Sequence, residues 1–183
     1  MAKPKPRLGR EDWIGLGLSL LAQRGPEALT LEQLTLAAKK TRGSFYHHFE
    51  DHSAFLAALG EHWLATEIEA KIAEIDAVAV GGDRRKALAQ HAAQIDHALE
   101  MQLRRLAASE PVIADIVAQS DAMRIAYLVR LFRSELGLDA GEALTRARLQ
   151  HCYFVGAQMV FPDADARFQL KLQKALGAAL WRA

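Results

Sequence analysis

The sequence predicts an all-α protein of about nine helices. Apolar residues recur three and four positions apart through most of the chain, as in Ile14, Leu18 and Leu21, or Phe168, Leu172, Ala175, Leu176 and Ala179. No sustained alternation of apolar and polar residues appears, and no Asn-Gly or Asp-Gly hairpin signal. Helix-breaking residues fall between the periodic segments: Gly25-Pro26, Gly81-Gly82, Pro111, Gly137 and Pro162-Asp163.

In chain order the expected helices are Glu11–Gln23, Leu31–Ala38, Arg42–His48, His52–Ile75, Arg84–Ala107, Pro111–Gln119, Asp121–Leu136, Gly141–Val160 and Ala164–Trp181. Thr30 with Gln33 has the spacing of a capping box, in which the hydroxyl and the amide side chain satisfy each other's free backbone N–H groups. Thr41, Asp51, Ser109 and Asp163 are suitable N-caps. Pro111 is tolerated at the start of a helix because its missing N–H would have no partner there.

Composition bounds the class. The chain has 183 residues, 51% hydrophobic and 25% charged, with 23 Lys+Arg against 22 Asp+Glu, as a folded globular protein should. The one cysteine, Cys152, excludes an internal disulfide framework and any CxxC metal or redox motif, and it is read as an inert core thiol. The basic N-terminus is not followed by an apolar signal segment. The longest apolar run, Cys152 to Phe161, is about half of the ~20 residues that span a membrane. The expectation is a soluble cytoplasmic protein without membrane association.

Charge is uneven beneath that balance. Residues 1–59 carry 8 Lys/Arg and 6 Asp/Glu, and two stretches are purely basic. One holds Lys3, Lys5, Arg7 and Arg10; the other holds Lys39, Lys40 and Arg42 with His47 and His48. These are either solvated surface or places to hold a phosphate backbone.

Residues 11–49 decide between the two. Leu31–Ala38 and Arg42–His48 are separated only by Lys39-Lys40-Thr41, which makes a helix-turn-helix whose second member can lie in a major groove. Phe45 and Phe49, at i and i+4, face inward onto Ile14, Leu18 and Leu21. The opposite face presents Arg42, Ser44, Tyr46 and His47, a set that packing alone would not need.

The stretch LTLEQLTLAAKKTRGSFYHHFEDHSAFLAAL, with its lead-in LLAQRGPEALT, resembles the helix-turn-helix signature of TetR-type transcriptional regulators over about residues 10–60. The resemblance implies a DNA-binding domain at 1–50 and a helical ligand-binding and dimerisation domain at 51–183. It implies a repressor that binds a palindromic double-stranded operator as a homodimer and is released by a small apolar ligand, not an enzyme, and with no cofactor. By position, Thr30 would cap the second helix and touch a phosphate, and Thr41 would cap the recognition helix. Arg42, Gly43 and Ser44 would meet the groove and its edge, and Tyr46 and His47 would bond phosphates. The chain departs from the family in three places. Lys39 and Lys40 stand where the turn usually has a glycine and an aliphatic residue. His48 replaces a second aromatic, and His52 replaces the lysine that commonly opens the fourth helix, which weakens that phosphate contact at neutral pH.

Other constellations carry less. His47, His48 and His52 lie close in sequence, but no HExxH occurs and no cysteine is near, so no metal site is expected. Gly15 and Gly17 lack the preceding strand of a dinucleotide fingerprint and read as packing glycines. Trp63, Met101, Met123 and Tyr127 are candidates to wall an apolar pocket between the helices at 52–75 and 121–136, with His91, His97 or Tyr127 as a polar handle. The last two helices are too apolar for a solvated end. Phe154 and Phe161 with Phe168, Leu172 and Leu176 are the expected dimer interface, Gly156 and Gly177 permitting close approach. Two rivals remain: a helical enzyme or small-molecule carrier that keeps the helix-turn-helix as scaffold, and a DNA-binding protein without a ligand.

Overall fold

The computed structural model describes residues 8–77, 82–92, 97–162 and 164–182, apart from the side chains of 82, 83 and 166. The described residues are helical and contain no strand. The helices are α1 (Arg10–Arg24), α2 (Leu31–Ala38), α3 (Arg42–Tyr46), α4 (His52–Trp63), α5 (Ala70–Asp76), α6 (Gly82–Ala92), α7 (His97–Ala107), α8 (Pro111–Leu136), α9 (Ala140–Val160) and α10 (Ala166–Leu180). A 3-10 turn at Pro26–Leu29 leads into α2, and a π-helical turn at Leu64–Glu69 joins α4 to α5 in one run. Counted by uninterrupted runs, the described helices number nine.

Two divisions differ from expectation. Pro111–Leu136 is one helix, where Gln119-Ser120-Asp121 had suggested a break. Asp121 Oδ1 accepts from His151 Nε2 at 2.9 Å, and Ser120 is buried within the helix with its Oγ unpartnered. Within the expected helix 84–107, residues 93–96 lie outside the described residues, as do the Lys3–Arg7 arm and Asp163. The N-cap of the last helix is Asp165, whose Oδ1 accepts from Phe168 N at 2.7 Å. Ser109 does not cap α8; its hydroxyl donates back to the Leu106 carbonyl at 3.3 Å.

The chain forms two compact units. The first comprises the residues up to Leu64 with Ala98–Val117. Its core is aromatic: the Phe45 ring meets Trp13 edge-on at 5.5 Å, Phe49 at 5.2 Å and Phe55 at 5.3 Å. Around these rings Ile14, Leu21, Leu34, Leu56 and Leu59 are fully buried. Gly17 is a packing glycine, since a Cβ there would sit 2.6 Å from Phe55 Cζ and 2.8 Å from Leu59 Cδ1. Gly15 faces open space and has no such role. Gly60 lets α4 approach Ile113 and Ile116 in the same way.

The second unit comprises Ala65–His97 and Ala118–Ala183. Leu128, Phe132, Ala143, Ala147 and Leu180 form one buried cluster, and Ile75, Tyr127 and Leu131 another. α9 and α10 are held together at one end by polar contacts. Trp181 Nε1 donates to Gln150 Oε1 at 2.9 Å, and Arg146 donates to the Leu180 carbonyl at 2.8 Å. No described helix is long and apolar enough to cross a membrane.

Candidate nucleic-acid interface and internal cavity

The first unit builds a helix-turn-helix from local signals. Thr30 Oγ1 accepts from Gln33 N at 3.3 Å and so starts α2. The reciprocal half of the expected capping box is absent, because Gln33 Oε1 instead accepts from Arg24 Nη2 at 2.9 Å. α2 stops at Lys39, which takes the left-handed conformation with φ 52° and ψ 43°. There its N–H reaches Leu36 O at 3.2 Å, and that of Lys40 reaches Thr35 O at 3.1 Å. These bonds satisfy two carbonyls that a helix end leaves free. Lys39 thus holds the position where the related signature has glycine. Thr41 then caps α3, its Oγ1 accepting from Ser44 N at 3.3 Å.

α3 is shorter than expected, ending at Tyr46 instead of His48. Its inner side is Phe45, fully buried. On the other side Arg42, Gly43 and His47 are exposed, Ser44 is half-buried, and Tyr46 keeps 52% of its surface. Among the described residues Lys39, Lys40 and Arg42 enter no ion pair, so their charge is available to an external anion. Leu36 on α2, 70% exposed, is an apolar side chain that no sequence motif marks.

The two histidines flanking this face turn inward. His48 Nε2 lies 3.0 Å from Leu8 O, and His52 Nε2 lies 2.7 Å from Leu29 O. A carbonyl oxygen only accepts, so each Nε2 carries a proton. His52 thereby ties α4 to the preceding 3-10 turn through Nε2. Among the described residues no three His, Cys, Asp or Glu side chains are placed to hold a metal ion.

The second unit contains a cavity of about 240 Å³. Ile68, Ile72 and Ile75 wall it from the π turn and α5; Arg124, Tyr127 and Leu128 wall it from α8. His91 on α6, Phe154 on α9 and Trp181 after α10 complete much of the lining. Of the four wall candidates only Tyr127 is present. Trp63 is buried in the first unit, and Met101 also belongs there. Met123, on α8, is not among the residues that line the cavity. Burial and the Arg124 charge lower the pKa of His91 from 6.5, so a neutral imidazole faces the cavity. Burial, with Asp76 adding to it, raises the Tyr127 hydroxyl to about 12.

The expected dimer face divides in two. Phe161 and Phe168 are exposed at 42% and 39%, with their rings 5.1 Å apart. Met159, Val160 and Leu170 extend this apolar surface. Leu172 is half-buried beside it. Phe154 and Leu176 do not belong to it, because the α9 face that carries His151 and the α10 face that carries Gln173 point into the cavity. Gly156 and Gly177 have open space at Cβ. Cys152 is exposed, not in the core as expected.

Residues 15–59 match the family model described as bacterial regulatory proteins, tetR family. No curated protein matches the chain by sequence. Solved structures that are similar include reduced NemR of E. coli, 23% identical with a TM-score of 0.72 over 93% of this chain and 95% of that one. FadR of Bacillus halodurans, the fatty acid degradation regulator, is 15% identical with a TM-score of 0.65, over 98% and 96% of the two chains. The ketosteroid regulator KstR2 of Mycobacterium tuberculosis is 22% identical with a TM-score of 0.57, over 93% and 92%. At these identities the likeness is one of fold, and it runs through both units.

Proposed function

We propose that this chain, whose N-terminal domain belongs to the tetR family of bacterial regulatory proteins, is a homodimeric cytoplasmic repressor, not an enzyme. It binds a near-palindromic operator and is released by a small, mostly apolar ligand. The observation that carries the reading is the outer side of α3: Arg42, Gly43, Tyr46 and His47 exposed on a short capped helix whose inner side is locked by Phe45. Arg42 and Ser44 stand on the first turn, where side chains reach base edges, and Arg offers the bidentate geometry that guanine accepts. Tyr46 and His47 follow and bond phosphates; Thr30, Lys39 and Lys40 add contacts to the backbone, and Thr41 sets the start of the helix.

The exposed surface of Phe161, Phe168 and Leu170 supports dimerisation, since a contiguous apolar patch of this kind marks an interface. A dimer presents two recognition helices, so the half-sites should lie ~34–36 Å or a multiple apart. Regulation follows from chain continuity. The helix that starts at His52, directly after α3, runs without a break into the π turn and α5, whose Ile68, Ile72 and Ile75 line the cavity. A ligand that favours one arrangement of that run lowers operator affinity by the factor by which the operator lowers ligand affinity.

The test is binding of the full-length protein to DNA. Arg42→Ala should cost about 1–3 kcal/mol on the preferred sequence and relax preference at one position per half-site. If the wild-type protein shows equal affinity for all duplexes, the segment is only a scaffold.

A further inference from the structure

We propose that the ligand site is bipartite, and that its second chamber selects an elongated apolar molecule ending in a group that both donates and accepts hydrogen bonds, such as an alcohol or amide. The proposal rests on the reading of the second unit as a ligand-binding domain. Beside the first cavity lies another of about 260 Å³. Phe154, Ala92 and Gln173 line both, so one aromatic ring stands between them. That ring has three close neighbours: the His97 ring centroid at 6.0 Å, that of His151 at 6.2 Å, and the Arg124 guanidinium at 5.1 Å. Each chamber falls below the ~300 Å³ at which ordinary ligand sites begin, and the two together lie within their range.

The first chamber has one unpartnered polar atom on a lining residue, the Tyr127 hydroxyl, and the second has an unpartnered amide. Gln158 on its wall is only 8% exposed, yet both its Nε2 and its Oε1 are without a hydrogen-bond partner. Nδ1 of His97, on the same wall, is also unpartnered. Buried amides are normally paired, because an unmet donor or acceptor loses the hydrogen bonds it had in water. One donor and one acceptor waiting near Phe154, Leu172 and Phe161, the last at the edge shared with the proposed dimer surface, match a hydroxyl or primary amide at the end of an apolar body. A carboxylate would satisfy only the donor, and an alkane neither.

The experiment compares butanol, decanol, decane and decanoate as probes, by displacement of an apolar fluorescent dye and by thermal shift, on the full-length protein. Decanol should bind best, ahead of butanol for length and ahead of decane and decanoate for its end group. Gln158→Leu, similar in size and free of the orphan atoms, should melt higher without ligand and bind decanol about tenfold more weakly while leaving decane unchanged. Gln158→Met should do the same if the leucine packs badly. If decane binds the wild-type protein as well as decanol does, or if Gln158→Leu leaves the preference intact, the bipartite site is wrong and the general ligand reading stands. If none of the probes binds, both fall. If Gln158→Leu changes the dimer dissociation constant and not decanol binding, the chamber belongs to a second copy's side chain, which also overturns the proposal.

Discussion

Replacing Lys39 separates the backbone role of the turn from its charge. Lys39 is the one non-glycine residue with positive φ among the described residues, and its side chain is exposed, so substitution removes no packing. A left-handed conformation costs an L-residue roughly 1–2 kcal/mol, because Cβ crowds the following carbonyl oxygen. Glycine escapes that cost but loses about 0.5–1 kcal/mol more conformational entropy on folding. Lys39→Gly should therefore stabilise the protein by about 0.5–1 kcal/mol, a rise of about 1–4 °C in melting temperature for a chain of this size. Lys39→Ala removes the same charge and keeps the same crowded Cβ, so it should leave stability near that of the wild type. Both variants should lower the slope of log affinity against log salt by about one unit if Lys39 touches a phosphate. Scanning calorimetry and DNA titrations at several salt concentrations measure the two effects independently. Equal melting temperatures for the glycine and alanine variants would refute the account of the turn.

Further outcomes follow from the packing and the charges. Gly17→Ala should cost about 1–3 kcal/mol, because the fully buried Phe55 and Leu59 cannot withdraw from the new methyl, whereas Gly15→Ala on the open side of α1 should gain about 0.5–1 kcal/mol in denaturant titrations. Phe168→Glu should convert the proposed dimer to a monomer in light scattering at micromolar protein; a wild-type monomer would remove the proposed interface. His91 is held neutral in the fold, so the unfolded chain takes up its proton first as pH falls below 6.5. Its contribution is intact above that pH and is lost as pH drops toward its lowered value, and His91→Gln should flatten this acid-side slope in melting curves.

Much of the first unit was legible because its signals are local. The expected bounds of α2 are those observed, and Thr30, Thr41 and Asp51 all cap as their positions suggested. The i, i+4 spacing of Phe45 and Phe49 points both inward, and both are buried. What failed depends on partners distant in sequence. Asp121 looked like a helix break until His151, thirty positions later, supplied its hydrogen bond. His52 looks like a weak phosphate ligand in sequence, but its Nε2–H donates to the Leu29 carbonyl, twenty-three positions earlier. Phe154 and Phe161 are equally apolar in sequence, and only the packing of α9 against α6, α8 and α10 turns one toward a cavity and leaves the other exposed. A cavity wall is set by which face of each helix points inward, and composition does not record that.

Selection of bound duplexes from a random pool by the full-length wild-type protein tests the central claim most directly. The account predicts enrichment of a near-palindrome with half-sites one helical turn or a multiple apart. It predicts that Arg42→Ala selects the same site with one position per half-site degenerate, and that Tyr46→Phe weakens all sequences alike. A pool that stays random after repeated rounds, with Tyr46→Phe binding DNA as the wild type does, would contradict it.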